Sequence, residues 1–317
     1  MLVRCGCSTA QSMRLAMKLN EALTAFMFDR EIRGLSKKTL LNYHEVLTAF
    51  IRFIGDKEVD ELTQAEIKEY IAALYERNLS KATIGSYIRH IKVFLTWIPE
   101  EIDLAVQYRM KRIVPPKVYK KNVHLYSDNE IRQIFSLVTA ESEWLISRNK
   151  ACIALMLDSG LRQAEAVGVK TELYDRKNKH LTVCGKGEKY RIVPVGRFSE
   201  YFITQYVLQC PYDITDHLFL DRRGNPMTTN AIKLVMQRIS KQVSFELSCH
   251  KLRHNFATNY CLDMYEKKGF MDAYSLQILL GHSDMQTTMR YIHHASQIVA
   301  TKARISHLDT MFDDGDF

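Results

Sequence analysis

The 317-residue chain carries 44 Lys and Arg against 36 Asp and Glu, and 46% of its residues are hydrophobic. This length and composition suffice for two globular domains, and the net charge of +8 favours an anionic partner such as nucleic acid. No apolar run is long enough to span a membrane and no signal-peptide core follows Met1, so we expect a cytoplasmic protein without a membrane partner. The seven scattered cysteines fit reduced thiols and show no zinc-binding spacing.

The first hundred residues are predicted to be helical. Residues 17–97 show the apolar periodicity of four consecutive helices separated by short polar turns. The sequence Thr63-Gln64-Ala65-Glu66 is typical of a capping box and predicts the start of the third helix. We therefore expect a helical domain over residues 21–104, preceded by an N-terminal extension over residues 1–20.

Two of these predicted helices begin with the same short motif. Leu35-Ser36-Lys37-Lys38-Thr39 is echoed by Leu79-Ser80-Lys81-Ala82-Thr83. A hydroxyl cap followed by lysine can present a helix N-terminus to a phosphate, or it can simply be a good helix start, and the spacing alone leaves both interpretations open. Under the first interpretation, the DNA-binding candidates of this region are Lys37, Lys38, Thr39, Lys81, Thr83 and Arg89.

A basic stretch from Arg109 to Lys121 contains no acidic residue and is interrupted by Pro115 and Pro116. Adjacent prolines break a helix, so we predict a stiff, extended connector over residues 105–124 between two domains. The connector can lie along a DNA backbone or be only a solvated tether. Its DNA-binding candidates are Arg109, Lys111, Arg112, Lys117, Lys120 and Lys121.

The remaining residues, 125–317, are predicted to form a mixed α+β domain. Helical patterns alternate with three strand-like runs, at 167–174, 180–184 and 190–195, which predict a small antiparallel sheet. The fold class is therefore mainly α, with a helical N-terminal domain and a C-terminal domain that holds the sheet. Between the last two runs, the sequence Gly185-Lys186-Gly187 places Lys186 at the tip of a hairpin.

Residue types suited to phosphodiester chemistry concentrate in this second domain. Arg162 begins a predicted helix with Glu165 one turn later, and the motif His250-Lys251-Leu252-Arg253-His254 puts its two histidines and its arginine on one helix face. His282 follows a glycine turn, and Tyr291 lies about two and a half helical turns further on. Guanidinium groups grip anionic oxygens and imidazoles move protons, whereas an isolated helical tyrosine is most often a packing residue.

Taken together, Arg162, Lys186, His250, Arg253, His282 and Tyr291 occur in an order that resembles the tyrosine recombinase (phage integrase) family, in its two-domain, Xer-like form. The motifs that carry the resemblance are Gly160-Leu161-Arg162-x-x-Glu165, Gly185-Lys186-Gly187, His250 to His254, and Leu280-Gly281-His282 with Tyr291 nine residues on. The four predicted helices and the connector look like that family's SAM-like core-binding domain. The stretch from Tyr265 to Tyr274 is longer than the usual pattern.

The resemblance implies that Tyr291 attacks the scissile phosphate, becomes joined to the DNA 3′-phosphate and releases a 5′-hydroxyl. A free phenol has a pKa of about 10, so its proton must be taken during attack, and His250 is the implied base. Arg162 and Arg253 would clamp the non-bridging oxygens and His282 would add a hydrogen bond. Lys186 would protonate the leaving oxygen, and Glu165 would support the arginines.

The resemblance further implies no metal and no cofactor. It implies double-stranded DNA with specific recombination sites as the partner, strand exchange through a four-way junction, and a homotetramer on two synapsed duplexes. The amphipathic tail from Ser296 to Phe312 is the candidate contact between protomers. Accessory DNA-bending or directionality proteins are compatible with this assembly. Integration and excision of a mobile element is our preferred role, with chromosome-dimer resolution or DNA inversion as alternatives.

Three other classes of protein compete with this interpretation. A zinc hydrolase could use His250 and His254, but Lys-Leu-Arg stands between them where a zincin needs a glutamate base. A DNA-binding regulator without catalysis would explain the positive charge but not the assembled set of catalytic residue types. A type IB topoisomerase would share the nucleophile, and it would relax plasmids that lack any recombination site.

Overall fold

The computed structural model of the chain divides into two compact units, residues 1–120 and 121–317. The residues that it describes are 17–102, 106–117, 124–185 and 189–302. No helix within these described ranges is long and apolar enough to cross a membrane.

Four α-helices lie in the described part of the N-terminal unit, as the periodicity predicts. Each of the last three begins at a hydroxyl cap: Ser36 accepts a hydrogen bond from the Thr39 amide, Ser80 from the Thr83 amide, and Thr63 forms the predicted capping box with Glu66. The helices are α1 (Leu19–Ile32), α2 (Lys37–Ile54), α3 (Gln64–Glu76) and α4 (Lys81–Glu101). Leu19 is fully buried in the core of this unit, so the predicted N-terminal extension ends before residue 20.

The segment predicted as a connector differs in its first half. Tyr108, Met110 and Ile113 are buried in the core of the N-terminal unit, and the Tyr108 hydroxyl donates to the Leu95 carbonyl oxygen at 3.1 Å. The prediction of an extended tether is therefore wrong for residues 106–113. Apolar side chains alternate with cations there, so the chain buries the first set and exposes the second. Lys120 and Lys121 lie outside the described residues.

The C-terminal unit is mainly helical with one small sheet. Its elements are α5 (Asp128–Ser136), α6 (Glu143–Asp158), α7 (Gln163–Val167), β1 (Tyr174–Asp175), β2 (His180–Cys184), β3 (Tyr190–Pro194), α8 (Arg197–Gln209), α9 (Thr229–Ser240), α10 (Cys249–Lys268), α11 (Ala273–Leu280) and α12 (Met285–Lys302). The sheet is antiparallel in the order β1-β2-β3, and Leu181 of β2 faces Val193 of β3. The predicted fold class is confirmed.

The strand predicted over residues 167–174 is wrong for most of its length. Val167 ends helix α7, Thr171–Leu173 forms a turn of 3-10 helix, and only Tyr174 of this run belongs to β1. Val167 and Val169 are both buried, which gives the alternation of a strand. Val167, however, belongs to helix α7, and the Val169 carbonyl accepts from the Leu218 amide of a loop.

Helix α6 is the centre of this unit, and its residues from Ala151 to Met156 are all buried. Helix α10 packs against it and continues into a second apolar cluster shared with α11 and α12. The stretch from Tyr265 to Tyr274 contains the end of α10, a short turn and the start of α11: Gly269 ends α10 in a left-handed conformation, and Asp272 caps α11 through the Ser275 amide. One end of α11 thereby comes to lie beside α7 and β3.

Candidate active site

Three arginines converge on the C-terminus of helix α11, where consecutive backbone carbonyls are free of helical partners. Arg191 Nε donates to the Leu279 oxygen at 2.7 Å, Arg253 Nη2 to the Leu280 oxygen at 2.6 Å, and Arg162 Nη2 to the Gly281 oxygen at 3.0 Å. The carbonyl end of a helix carries partial negative charge, so it stabilises these cations. The three guanidinium groups come from strand β3, helix α10 and the start of α7.

Glu165 bonds two of these arginines, Arg162 and Arg191. The sequence spacing predicts only its pairing with Arg162. Its Oε1 accepts from Arg162 Nη1 at 2.7 Å and from Arg191 Nη1 at 3.0 Å. Its Oε2 accepts from the Arg162 amide and from Arg191 Nη2, both at 2.7 Å. Burial opposes ionisation of this carboxyl, but the bonds from Arg191 and the Arg162 amide outweigh it and lower the pKa of Glu165 to about 2.

Arg253 is the most enclosed catalytic candidate, with 2% of its surface exposed. Besides the Leu280 carbonyl, its Nη1 donates to the Gly160 carbonyl at 2.6 Å. Burial, with the positive charge of Arg162, lowers the pKa of Arg253 to about 10, so the guanidinium stays protonated at neutral pH. Gly160 must be a glycine, because its φ is +62° and an added Cβ would overlap the Phe256 ring.

His282 lies between Arg253 and the buried hydroxyl of Thr288. Its Nε2 is 3.2 Å from Arg253 Nη2 and its Nδ1 is 2.9 Å from Thr288 Oγ1. A guanidinium can only donate, so we assign Nε2 as the acceptor and place the proton of the neutral ring on Nδ1. Burial first, and then the charge of Arg253, lowers the pKa of His282 to about 4.

Tyr291 lies on α12 with 7% of its surface exposed, among the side chains of α10, α11 and α12. Its ring centroid is 6.1 Å from that of His282, in a stacked arrangement, and 5.3 Å from that of His254. Burial raises the pKa of the phenol, although Arg253 and other nearby arginines oppose the shift. The hydroxyl is therefore protonated at neutral pH.

His250 is exposed at the start of α10, and its ring centroid is 4.1 Å from that of His254. Desolvation, with the charge of Arg253, lowers the pKa of His250, which makes it a neutral proton acceptor at pH 7. His254 is thus in ring contact with both His250 and Tyr291. Burial, followed by the neighbouring His250, lowers the pKa of His254 to about 4.

The structure places five of the six predicted catalytic residues in one connected group. Lys186 lies outside the described residues. On either side of this gap, the Gly185 amide donates to the Lys189 carbonyl at 2.8 Å. Arg191 lies on strand β3, two residues beyond Lys189, and its side chain bonds the Glu165 carboxylate.

The sequence of the chain matches two known protein-domain families. Residues 126–297 match the phage integrase family, and residues 23–103 match the phage integrase N-terminal SAM-like domain. The chain belongs to the phage integrase family. It is therefore a tyrosine recombinase, an enzyme class that cleaves and rejoins DNA, and the predictions of family, fold and enzyme class are confirmed.

Relatives of this tyrosine recombinase match over most of its length. Tyrosine recombinase XerC of Staphylococcus haemolyticus is 30% identical over 84% of this chain and 89% of its own. XerC of Haemophilus influenzae is 28% identical over 82% and 88% of the two chains.

Solved structures share the fold. A lambda integrase fragment bound to a COC′ core site aligns with a TM-score of 0.70 and 19% identity, over 87% of this chain and 95% of its own. The XerH recombinase bound to a palindromic difH substrate aligns with a TM-score of 0.69 and 21% identity, over 89% and 83% of the two chains.

The cationic residues predicted to bind DNA are exposed wherever the structure describes them. Helices α2 and α4 of the recombinase line a common groove, which the first half of α2 and the first turns of α4 form together. Thr39 and Thr83 are half-buried because each hydroxyl lies 2.8 Å from the hydroxyl of its capping serine. The exposed cations are Lys37, Lys38, Lys81, Arg89, Arg109, Lys111, Arg112 and Lys117.

Sequence reasoning missed three residues of the tyrosine recombinase site. Arg191 shares the inward face of β3 with Val193, so a charged residue at a buried position of an alternating strand was the available signal. Thr288 precedes Tyr291 by three residues on the same helix, but nothing local indicates that it holds His282. His254 lies next to Arg253 in the recognised motif, and only the fold brings its ring to Tyr291.

Proposed function

We propose that this tyrosine recombinase cuts double-stranded DNA at specific sites with Tyr291 and rejoins the ends to a partner duplex, integrating and excising a mobile element. The observation that supports this most is the convergence of Arg162, Arg253 and His282 beside the Tyr291 ring. Two cations and a switchable imidazole next to a buried phenol suit attack on a phosphodiester. The shared fold with recombinases described as bound to DNA substrates supports a DNA partner.

In the proposed cleavage step, Tyr291 attacks the scissile phosphorus as its phenolic proton passes to a base. The bond from phosphorus to the 5′-oxygen then breaks, a 3′-phosphotyrosine remains, and the 5′-oxygen leaves with a proton from Lys186. His250 is our proposed base, and His254 is the histidine whose ring contacts Tyr291 directly. Loss of cleavage in His250→Ala but not in His254→Ala would support His250, and the reverse result would transfer the role to His254.

Arg162 and Arg253 would stabilise the negative charge that develops on the non-bridging oxygens. Both are already fixed to backbone carbonyls, so little reorganisation opposes their use. His282 would donate to the same phosphate. Its Nε2 accepts from Arg253 in the DNA-free protein, so donation requires a proton on Nε2, either taken up, which a bound phosphate favours, or shifted from Nδ1.

The N-terminal unit would bind DNA through the N-termini of α2 and α4, and the exposed cations beyond α4 would follow the backbone. When a lysine that contacts a phosphate is replaced by a neutral residue, DNA binding releases about one fewer counterion. We expect Lys37→Ala and Lys81→Ala each to reduce the slope of log K against log salt concentration by about 1. Glu45→Ala, on the groove between the helices, serves as a charge-changing control that should not reduce it. An unchanged slope in both lysine variants would remove these helix starts from the DNA-binding surface.

Four protomers on two duplexes would carry out the exchange through a four-way junction, with accessory proteins acting at the site. We propose that the amphipathic tail from Ser296 to Phe312 contacts the neighbouring protomer; residues Ser296 to Lys302 complete α12, and the rest lies outside the described residues. Ala295 is buried inside its own chain, so a truncation that tests this contact must retain residues up to 302. The truncated protein should still bind and cleave DNA but lose synapsis, and normal recombination would refute the contact.

The Xer-like alternative, resolution of chromosome dimers, is supported by the names of the relatives, which match over most of both chains. Paired recombination assays separate the two roles. One pair of sites carries the ends of a candidate mobile element, and the other carries the chromosomal dimer-resolution site. The pair that recombines identifies the role.

Cleavage itself is tested with a nicked suicide duplex, on which the cut strand loses its 5′-hydroxyl fragment and cannot be resealed. The wild-type protein and Tyr291→Phe are incubated with it without added metal, and complexes that survive denaturant are counted. We expect a covalent adduct from the wild type alone. If neither protein forms one on a duplex that both bind, the catalytic proposal fails and a non-catalytic DNA-binding regulator becomes the better account.

A further inference from the structure

Arg191 has no role in the chemistry described above, yet it is a buried partner of the residues that carry out that chemistry. Its side chain is 6% exposed and so is that of Glu165. One guanidinium makes three bonds: two to the Glu165 carboxylate and one to the Leu279 carbonyl. It also lies against Gly281, where an added Cβ would meet the Arg191 side chain at 3.2 Å. Arg191 therefore touches both the carboxylate and the turn that hold Arg162 and Arg253.

The Glu165 carboxylate has about four acceptor positions, and all of them are taken. Arg162 occupies one on each oxygen and Arg191 occupies the other two. Arg253 is the next cation: its Nη1 lies 3.7 Å from Glu165 Oε2, beyond hydrogen-bond distance. Arg253 instead directs its donors at the Gly160 and Leu280 carbonyls and at His282.

Removal of Arg191 would open two acceptor positions on a buried carboxylate. A buried anion that loses a partner is strongly destabilised unless another cation reaches it. Arg253 is close enough to move onto Glu165, and this movement would draw it away from His282 and from the place where a phosphate would lie. The carbonyl of Leu279 would lose its donor in the same step, which loosens the turn before His282.

We propose that Arg191 is a positioning residue for strand cleavage, which saturates Glu165 so that Arg253 remains available to the scissile phosphate. This inference rests on the proposed function of the site. In this proposal Arg191 does not contact DNA. Arg191 acts through Glu165 and through the α11 turn, and its effect on the reaction depends on the negative charge of Glu165.

That dependence distinguishes positioning from a structural role. The variants Arg191→Met, Glu165→Gln and the double variant are compared in single-turnover cleavage of the suicide duplex, at protein concentrations that saturate the DNA. Arg191→Met should slow cleavage on the order of 10- to 100-fold, as loss of a supporting partner typically does. In the double variant the neutral amide attracts Arg253 less, so cleavage should be faster than in Arg191→Met alone.

Arg148→Met is the matched control for loss of a buried arginine. Arg148 is 6% exposed and bonds the Leu220 carbonyl and Asn149, and it has no contact with the site residues. Arg148→Met should lower the melting temperature without slowing cleavage by the folded protein. Arg191→Lys, which keeps the charge but cannot bond both carboxylate oxygens and Leu279 together, should fall between Arg191→Met and the wild type.

The outcomes distinguish failure of the proposed function from failure of the positioning role of Arg191. If the wild type forms no adduct, the proposed function and this inference fail together. If the wild type cleaves but Arg191→Met cleaves at the same rate, only the positioning role fails. It also fails if the losses from Arg191→Met and Glu165→Gln multiply in the double variant, because independent effects would show that Arg191 does not act through the charge of Glu165.

Discussion

Gly160 allows the sharpest test of how the backbone holds Arg253. Its carbonyl accepts from Arg253 Nη1 at 2.6 Å, and its φ is +62°. In Gly160→Ala the new Cβ would lie 2.3 Å and 2.7 Å from two Phe256 ring atoms and 3.1 Å from Leu280. The left-handed conformation costs an alanine roughly 1–2 kcal/mol, and forcing a methyl group into a packed core costs about 1–3 kcal/mol. We therefore expect a loss of about 2–5 kcal/mol in the free energy of unfolding.

Gly269 provides the matched control. It has a φ of +77°, also in the left-handed region, but nothing lies within 4 Å of its added Cβ. Gly269→Ala should therefore lose only the conformational term, about 1–2 kcal/mol. For a unit of this size, each kcal/mol corresponds to roughly 2–4 °C in melting temperature, so Gly160→Ala should melt lower than the control by about 2–12 °C.

The two variants should also differ in cleavage at a temperature where both are folded. A shift of about 1 Å in a positioned group can cost on the order of 100-fold in rate, so Gly160→Ala should lose most of its single-turnover cleavage. Gly269→Ala should keep the wild-type rate. Equal melting temperatures, or equal rates, for the two alanine variants would refute the claim that close packing at Gly160 fixes Arg253.

Three further predictions concern the same site. Arg162→Ala and Arg253→Ala should each abolish adduct formation while electrophoretic mobility shifts show most DNA binding retained; near-normal cleavage by either variant would remove it from the phosphate clamp. Thr288→Val deletes the hydroxyl that holds His282 Nδ1 and should slow cleavage about 10-fold, whereas Thr288→Ser should restore it, and equal rates would contradict the contact. His254 and His282 have pKa values near 4 against the ordinary 6.5, so the unfolded chain binds more protons between these limits. Denaturant titrations should show that the free energy of unfolding falls as the pH drops from about 6.5 to 4. The fall should be less steep in His254→Gln. A free energy that does not change with pH would refute the lowered pKa values of these histidines.

Local rules predicted the elements whose cause is local. The capping box at Thr63 and the pairing of Arg162 with Glu165 depend on residues three positions apart, so the sequence displays them directly. The proposed nucleophile, Tyr291, was identified from a motif. These features require no knowledge of what packs against them.

The missed features depend on contacts between distant segments. The sequence indicates only that Arg191 lies on a strand. Its contacts with Glu165 and Leu279 arise from the fold. Residues 106–113 look like a tether because their cations dominate the pattern, although Tyr108 and Ile113 complete the N-terminal core. Residues 167–174 alternate like a strand, but only Tyr174 pairs with a neighbouring strand, opposite Leu181 of β2. In each case tertiary contacts outweighed the local pattern.

The central claim is that Tyr291 forms the covalent bond to DNA. The measurement that tests it most directly is mass spectrometry of peptides from the suicide-duplex adduct after nuclease and protease digestion. The account predicts a nucleotide joined through its 3′-phosphate to the peptide that contains Tyr291, and no adduct from Tyr291→Phe. A nucleotide on another residue, such as Tyr260, or an adduct that persists in Tyr291→Phe would contradict it.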